Sequence, residues 1–221
     1  MNFMQLRERQ PKFPVTVKTG EGVVELIWNK IEYADGYRVF ASPVGKNHFV
    51  GVINVKGTTA VMKKRANGVP MQYKVKAFRI ADGPDNFFGE SEIVIACPLE
   101  TPRKLTAIVG SDGICTLSWR YNSQCDGFKI YADSNESGKY SFVCYSGKNS
   151  CRLDSFTKSG KVSFVVRSFI MTGHMEKLGV SSAPAEAVIL KSKGTKAVQF
   201  DHSMIRKTAG DYNARRFAGK D

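Results

Sequence analysis

Hydrophobic and polar residues alternate along residues 24–40, in two runs that a short connection separates. The first run ends at Trp28, and the second begins with Gly36 and Tyr37. Alternation with a period of two is typical of a β-strand that buries one of its faces. The segment therefore predicts two successive strands, the first of which carries a tryptophan.

The same pattern returns 91 residues downstream, in residues 115–131. The matching residues are Trp28 and Trp119, Gly36 and Gly127, Tyr37 and Phe128, and Tyr73 and Phe164. A repeat of this length has the size of a small domain. We therefore expect two copies of one domain, with Trp28 and Trp119 each between the two sheets of its own copy. The expected core aromatic residues are Trp28, Tyr37, Tyr73, Trp119, Phe128 and Phe164.

Short alternating runs between turn residues predict seven strands in each copy. The predicted strands of the first copy are residues 14–18, 23–28, 37–42, 48–55, 58–63, 71–79 and 91–96. Those of the second copy are residues 105–109, 113–119, 127–132, 140–145, 150–154, 161–169 and 180–190. Because helical periodicity is missing, the pattern indicates an all-β protein made of two tandem, seven-stranded, immunoglobulin-like sandwiches.

The domain boundaries follow from composition. We divide the chain into an N-terminal segment (residues 1–11), a first module (residues 12–98), a second module (residues 99–190) and a basic C-terminal tail (residues 191–221). Two prolines, Pro98 and Pro102, flank the junction between the modules. Proline fixes φ and lacks an N–H, so we expect a semi-rigid junction.

These features resemble the fibronectin type III family. The resemblance lies in the strand-two tryptophan, the Gly-Tyr or Gly-Phe that opens strand three, and the alternating strand at Tyr73. A Gly-x-Ser element at Gly89-x-Ser91 and at Gly179-x-Ser181 also matches. The similarity covers about residues 12–190, and it is greatest to modules of bacterial and phage proteins. It implies the sandwich fold and a structural or binding role.

The family usually carries a tyrosine whose hydroxyl braces the turn before the sixth strand. Met71 and Val162 occupy that place in the two modules. We therefore expect both corners to be held by packing alone. An Arg-Gly-Asp tripeptide is missing from the sequence, so the integrin-binding role of some animal members does not transfer.

Composition narrows the setting of the protein. Hydrophobic residues make up 42% of the chain, as in packed globular proteins. No apolar run approaches the roughly 18 residues that span a bilayer, so we expect no membrane partner. The N-terminus places Arg7 and Arg9 where a signal peptide needs an apolar stretch, so we expect no export signal of its own. The five cysteines, without a Cys-x-x-Cys motif, favour a reducing compartment over a disulfide framework.

Catalytic and metal-binding patterns are missing from the sequence. His48, His174 and His202 stand apart from any recognised nucleophile setting. Cys144 and Cys151 do not have metal-ligand spacing. We therefore expect a non-enzyme without catalytic residues, a metal site or a cofactor.

The loops between the sixth and seventh strands are candidate binding regions, because sandwich loops often carry binding residues. Phe87 and Phe88 are adjacent in the first of these loops, and Met171 and Met175 lie in the second. At least one of the two phenylalanine rings should point away from the core. That ring either packs back on the edge of the sandwich or is free to bind a sugar.

The tail is the most basic segment, with eight Lys or Arg residues against three Asp or Glu residues in a chain of net charge +13. It carries single, spaced apolar side chains that cannot order it alone. It is either a solvated segment or an arm that docks on a partner. The candidate partner-binding residues of the tail are Phe200, Ile205, Tyr212, Arg215, Arg216 and Phe217.

Together these features predict a structural or interaction subunit of a larger assembly, with protein partners. A phage virion, built in the bacterial cytoplasm, is the setting that we expect, with the sandwiches as spacers or decorations and the tail as the attachment arm. One alternative is a bacterial surface module that binds a carbohydrate or a protein. A second alternative is weak binding of nucleic acid through the cations of the tail, since the sequence pI is about 9.6.

Overall fold

The computed structural model describes residues 12–83, 86–154, 156 and 159–189. Within these residues it contains sixteen β-strands and no helix. The chain divides into two compact units, Met1–Glu100 and Thr101–Asp221. The predicted module boundaries, residues 12–98 and 99–190, stay predictions. The tail and the N-terminal segment lie outside the described residues.

The described residues of the first unit form eight strands. In chain order these are β1 (Val15–Gly20), β2 (Val23–Trp28), β3 (Gly36–Pro43), β4 (Val50–Val55), β5 (Thr59–Met62), β6 (Met71–Phe78), β7 (Phe87–Glu90) and β8 (Val94–Ala96). Strands β1, β2 and β5 form a three-stranded sheet in the order β1-β2-β5. The other five form a second sheet in the order β4-β3-β6-β7, in which β8 also pairs with β6.

The core of the first unit lies between these two sheets. Each strand contributes alternate residues, as in β2, where Val24, Leu26 and Trp28 are buried and the residues between them are half-buried. The Trp28 ring packs edge-on against Tyr37 of the other sheet, with 5.3 Å between the ring centroids. The Tyr37 hydroxyl also accepts a 2.8 Å hydrogen bond from the backbone N–H of Ile31.

The second unit repeats this arrangement with β9 (Arg103–Val109), β10 (Cys115–Arg120), β11 (Gly127–Asp133), β12 (Ser141–Ser146), β13 (Ser150–Leu153), β14 (Gly160–Thr172), β15 (Met175–Leu178) and β16 (Ala185–Ile189). The three-stranded sheet has the order β13-β10-β9. The five-stranded sheet has the order β12-β11-β14-β15, and β16 also pairs with β14. Trp119 packs on Phe128 with 5.1 Å between the centroids. The predicted all-β fold of two sandwiches is thus confirmed.

The two units share one strand register, displaced by 91 residues. Leu26 pairs with Ala60 in the first unit, and Leu117 pairs with Cys151 in the second. In the five-stranded sheets, Val39 pairs with Ile53, and Ile130 pairs with Cys144. The repeat in the sequence is therefore a repeat of the hydrogen-bonded register as well as of the fold.

An aspartate fixes the start of the third strand in both units. The Oδ2 atom of Asp35 accepts a 2.9 Å hydrogen bond from the N–H of Ile80, and its own N–H bonds to the carbonyl of Phe78. In the second unit, the Oδ2 atom of Asp126 accepts a hydrogen bond from the N–H of Met171, and the N–H of Asp126 donates to the carbonyl of Phe169. These bonds join the loop before strand three to the end of strand six.

The last strand predicted for each sandwich is shorter in the structure, and an additional strand precedes it, which corrects the prediction. In the first unit the predicted strand 91–96 is reduced to β8 (Val94–Ala96), and β7 forms in residues 87–90, which were predicted as a loop. The buried Ser91 lies between β7 and β8. The Ser91 hydroxyl accepts the hydrogen bond of the Val75 N–H at 2.8 Å, in place of a backbone carbonyl. The ladder with β6 is interrupted there, so two short strands form it, and the first of them lies outside the predicted range. In the second unit the predicted strand 180–190 is confined to β16, because β15 takes the other half of the pairing.

The Gly-x-Ser element of the second unit also needs a correction. Ser182, and not Ser181, takes the role of Ser91, because its hydroxyl accepts the hydrogen bond of the Val166 N–H at 3.0 Å. Ser182 is buried, whereas Ser181 is exposed. The β14–β15 hairpin differs in length from the hairpin of the first unit. The Gly-x-Ser motif therefore lies one residue before the serine that is equivalent to Ser91.

Candidate functional site

The outer face of the five-stranded sheet in the first unit carries aromatic and charged side chains instead of short polar ones. Arg38 and Phe40 of β3 alternate with the buried residues of that strand. Lys74 and Lys76 alternate in the same way along β6. Residues of one strand face opposite sides of a sheet in turn, so these four side chains share the side away from the core.

Phe87 of β7 completes this face. Its ring packs edge-on against Phe40, with 5.5 Å between the centroids. Two cations lie over the Phe87 ring: the Arg38 guanidinium at 5.5 Å and the Lys76 ammonium at 5.3 Å from its centroid. Lys74 lies 4.5 Å above the centroid of Phe49. Cations within about 6 Å of a ring centroid are attracted by the negative face of the ring.

Glu90 ties the lysines of this face together. Its carboxylate lies 3.0 Å from the Lys74 ammonium and 3.4 Å from that of Lys76. Partial burial raises the pKa of Glu90, but the hydrogen bonds and charges of Lys74 and Lys76 outweigh it and bring the pKa below its ordinary value. We name Arg38, Phe40, Lys74, Lys76, Phe87 and Glu90 face 1.

The second unit has an equivalent face. Lys129 and Tyr131 alternate with the buried residues of β11, at the positions that match Arg38 and Phe40 after 91 residues. The rings form a chain: Tyr131 and Phe142 have centroids 5.9 Å apart, and Phe142 and Tyr145 have centroids 4.9 Å apart. Face 2 comprises Lys129, Tyr131, Phe142, Tyr145, Arg167, Phe169 and Glu176.

Lys129 is the central cation of face 2. Its ammonium lies 5.1 Å from the Tyr145 centroid and 5.6 Å from that of Phe142. It also forms a 2.6 Å ion pair with Glu176 of β15. Burial lowers the pKa of Lys129, but the hydrogen bonds and charges of Glu176 and Tyr145 outweigh it, so the pKa is raised. Both faces therefore hold a cation between aromatic rings and a glutamate.

The edge strands beside these faces share one irregularity. The register of β3 and β4 shifts at Val39 and Phe40, and Val52 is the extra residue of β4. Val143 of β12 is the matching extra residue in the second unit. A bulge twists an edge strand and interrupts its pairing surface. The two valines are 40% and 41% exposed, so each face ends at an accessible apolar side chain.

A second, smaller surface lies at the loop end of the first unit. The Arg79 guanidinium is 4.6 Å from the Phe88 centroid and 5.4 Å from that of Tyr33, and its Nε donates to the Tyr33 carbonyl at 3.2 Å. Tyr33 is 69% exposed and has a positive φ of 61°. The 91-residue match does not repeat this surface, since Gln124 stands in place of Tyr33.

The structure moves the loop candidates into strands, which corrects their predicted location. Phe87 and Phe88 lie in β7, and Met171 and Met175 lie in β14 and β15. A hairpin extends the sixth and seventh strands, so that only a two-residue turn separates β14 from β15. Phe88 packs against the core, and Phe87 lies on face 1. The Phe87 ring, which points away from the core, is thus packed on its own sheet. Of the two outcomes considered for this ring, the structure shows packing on the sandwich.

The predicted core residues are buried in the structure. Their exposed fractions do not exceed 5%, for Trp28, Tyr37, Tyr73, Trp119, Phe128 and Phe164. The predicted tail residues Phe200, Ile205, Tyr212, Arg215, Arg216 and Phe217 lie outside the described residues. Face 1 and face 2 were not identified from the sequence as candidate sites. The signal was present, because aromatic and basic residues occupy the outward positions of strands that were assigned correctly.

Two further observations concern residues 12–83, 86–154, 156 and 159–189, which the structure describes. There, no group of three or more His, Cys, Asp or Glu side chains could hold a metal ion. No helix long and apolar enough to cross a membrane occurs in those parts either.

Comparison with known proteins returned structural matches alone. No protein-family model and no curated protein matches the sequence. The FN1–FN3 domains of chicken CNTN1 match at 19% identity and a TM-score of 0.37, over 82% of this chain and 68% of that one. A two-domain fibronectin type III segment of chicken tenascin matches at 14% identity and a TM-score of 0.45, over 80% and 97%.

Each unit has a fibronectin type III-like fold. Its own topology carries this assignment, since three strands face a second sheet in which β4, β3 and β6 are neighbours. Each fibronectin type III-like unit thus has one outer sheet face that holds aromatic and cationic residues.

Proposed function

We propose that this protein is a non-catalytic interaction subunit of a larger assembly, and that face 1 and face 2 bind an acidic protein surface. The observation that carries the proposal is the recurrence of one arrangement on both units. A lysine that contacts two aromatic rings and a glutamate stands at Lys76 in the first unit and at Lys129 in the second. A solvated sheet face does not need this arrangement for folding.

The chemistry of the faces fits protein recognition. Aromatic residues and arginine are enriched where interfaces derive most of their binding energy. The rings and cations of both faces already contact one another in the free protein, so less conformational entropy is lost when a partner binds. Each face holds more basic than acidic groups. Face 1 has Glu90 with three cations, two of which pair with it, and face 2 has Glu176 with two cations, of which Lys129 pairs with it. This charge favours an acidic partner.

Nucleic acid fits the faces less well. Bases bind to sheet surfaces by stacking on open aromatic faces. Here the cations Arg38 and Lys76 lie over the Phe87 ring, and the rings pack edge-on against each other. The central glutamate of each face also opposes phosphate. Weak binding of nucleic acid by the tail remains a separate proposal.

The narrower proposal concerns the assembly. We propose a particle that is built inside a bacterium, such as a phage virion, with residues 191–221 as the attachment arm. It is supported by the similarity of the ADGYRVF segment and the first Gly-x-Ser element to modules of bacterial and phage proteins, and by cysteine usage that suits a reducing compartment. The competing proposal is a bacterial surface module that uses the same faces for adhesion.

The test removes the charges of the faces and leaves the rings in place. The face 1 variant is Arg38→Gln with Lys76→Gln, and the face 2 variant is Lys129→Gln with Arg167→Gln. The matched control is Lys18→Gln with Lys56→Gln, two exposed lysines of the first unit that are not part of either face. Partners are cross-linked to the full chain in cells of its source, identified, and then purified to measure affinity.

We expect the purified partner to be acidic and each face variant to bind it at least about tenfold more weakly, which corresponds to about 1.4 kcal/mol. The control variant should bind as the unchanged protein does, and thermal melting should show that all variants are folded. Equal affinity of the face variants and the control would refute the proposal. Loss of single-stranded oligonucleotide binding in the face variants, without a protein partner, would replace it with the nucleic-acid alternative.

A further inference from the structure

Two cysteine side chains of the second unit meet inside the sandwich. Cys144 lies in β12, on the edge of the five-stranded sheet, and Cys151 lies in β13, on the edge of the three-stranded sheet. Their Sγ atoms are 3.3 Å apart. Both thiols are free and half-buried. The pair therefore spans the gap between the two sheets at one edge of the sandwich.

The packing of the fold does not require this pair. The register places Ile53 and Ala60 of the first unit at the two equivalent positions, 91 residues earlier. Ile53 packs against the core of that unit, and Ala60 is fully buried in it. An ordinary apolar pair thus fills the same place in a sandwich of the same topology. The second unit differs in the chemistry of this position and shares its geometry.

We propose that Cys144 and Cys151 form a site of reversible oxidation, at which an intramolecular disulfide joins the two sheets of the second unit. A disulfide requires a sulfur–sulfur distance of about 2.05 Å, so each sulfur has to move by less than an ångström. A change of side-chain torsion supplies a displacement of that size. The inference is independent of the binding proposed for face 1 and face 2.

The reaction uses a peroxide as the oxidant. The thiolate sulfur of Cys151 attacks one oxygen of hydrogen peroxide, the O–O bond breaks, and a sulfenic acid forms with release of one water after protonation. The Cys144 sulfur then attacks the sulfenic sulfur, the S–O bond breaks, and the hydroxyl leaves as a second water with the Cys144 proton. The two thiols lose two electrons, and peroxide gains them.

The two thiols are joined by a hydrogen bond in which either sulfur can be the donor. The hydrogen bond with Cys144 lowers the pKa of the Cys151 thiol, against the effect of burial. The same hydrogen bond and burial raise the pKa of the Cys144 thiol. Since the thiolate is the nucleophile, we assign the first attack to Cys151 and the second to Cys144.

The pair lies beside residues of face 2. Cys144 lies in β12 between Phe142 and Tyr145, whose rings belong to that face. The disulfide would close a loop of short length, from Tyr145 to Ser150, and fix the edge strand to the opposite sheet. We expect the oxidised form to resist local opening of β12 and β13, because a cross-link restricts the open state.

The primary experiment treats the folded full chain with hydrogen peroxide, blocks the remaining thiols, and digests the product with trypsin. Cleavage after Lys139, Lys148 and Arg152 separates the two cysteines into the peptides Tyr140–Lys148 and Asn149–Arg152. We expect these two peptides to be joined, with the loss of two hydrogen atoms, and to separate again after a dithiol reductant. Blocking should then find three free thiols where the reduced chain has five.

The matched control copies the first unit. The double variant Cys144→Ile with Cys151→Ala installs the pair that packs there, so it should fold and melt as the reduced protein does. Hydrogen exchange of β12 and β13 should slow on oxidation in the unchanged protein and stay constant in the variant. The proposal fails if peroxide oxidises Cys125 or joins Cys115 to Cys151 before the expected peptides are linked. It also fails if the variant shows the same change in exchange.

Discussion

The backbone N–H of Val75 donates a 2.8 Å hydrogen bond to the hydroxyl of Ser91, and the N–H of Ser91 returns a 2.8 Å bond to the Val75 carbonyl. Ser182 and Val166 make the same reciprocal pair in the second unit, at 3.0 and 2.9 Å. Both serines are buried, so water cannot replace the hydroxyl. Each pair holds the point where the last strand of its sandwich is interrupted.

This relationship predicts that Ser182→Ala destabilises the second unit by about 1–3 kcal/mol, because the N–H of Val166 is left buried without an acceptor. Ser181→Ala is the matched control, since Ser181 is the exposed neighbour. Hydrogen exchange measured by mass spectrometry reports the stability of each unit separately through its own peptides. A larger effect of Ser181→Ala than of Ser182→Ala would contradict the assignment and restore the register that the sequence motif suggested.

Truncation of either tryptophan should destabilise its own unit without destabilising the other. Trp28 and Trp119 are buried between the sheets, each against the aromatic ring that opens the next strand. Truncating a large buried aromatic residue to alanine costs about 3–5 kcal/mol, out of the roughly 5–15 kcal/mol that stabilises a domain. We expect Trp28→Ala to unfold or greatly weaken the first unit and Trp119→Ala the second. Calorimetry of the two variants checks this, and loss of both transitions in either one would contradict it.

The sequence pattern predicted most of the fold because strands, turns and core positions can be identified from the spacing of neighbouring hydrophobic, polar and turn residues. Trp28 and Tyr37 recur as Trp119 and Phe128, and that repeat alone set the two-sandwich architecture. The division of the last strand could not be predicted, because it depends on a hydrogen bond between Ser91 and a residue of another strand. Local sequence does not record such a partner.

The candidate site was harder to predict for a related reason. Arg38 and Phe40 lie on one strand, but Phe87 comes from another, and the register of three strands brings them together. Glu176 reaches Lys129 only through the β14–β15 hairpin, whose length differs from that of the first unit. A period-two pattern identifies outward positions, but it does not say which of them meet.

Glu90 predicts an acid-dependent contribution to the stability of the first unit. Its folded-state pKa is lowered from the ordinary value of 4.5, so the unfolded chain binds a proton first as the pH falls. The contribution is therefore complete above that value and is lost as the pH falls through the lower, folded-state pKa. We expect the difference in melting temperature between the unchanged protein and Glu90→Gln to shrink below about pH 4.5. A difference that grows on acidification would reverse the sign of the assigned shift.

For the tail, we predict that apolar side chains contribute more to attachment than charged side chains do. If residues 191–221 dock on a partner, desolvated aromatic side chains should supply most of the attachment, since exposed cations at the rim of an interface contribute little. Phe200→Ala, Tyr212→Ala and Phe217→Ala together should abolish incorporation into the assembly. The set Arg206→Gln, Lys207→Gln, Arg215→Gln and Arg216→Gln should weaken it modestly, and neither set should change the melting of the two units.

The tail and the faces can be separated in one experiment. A chain that ends at residue 190 keeps both faces, and the Gln variants of face 1 and face 2 keep the tail. If the tail attaches the protein and the faces bind an acidic partner, the shortened chain should lose incorporation but still bind that partner. Binding that falls steeply with salt and disappears with the tail would instead indicate that the tail contacts phosphates. Equal incorporation of the full and shortened chains would disprove the docking arm and leave the sheet faces as the attachment surface.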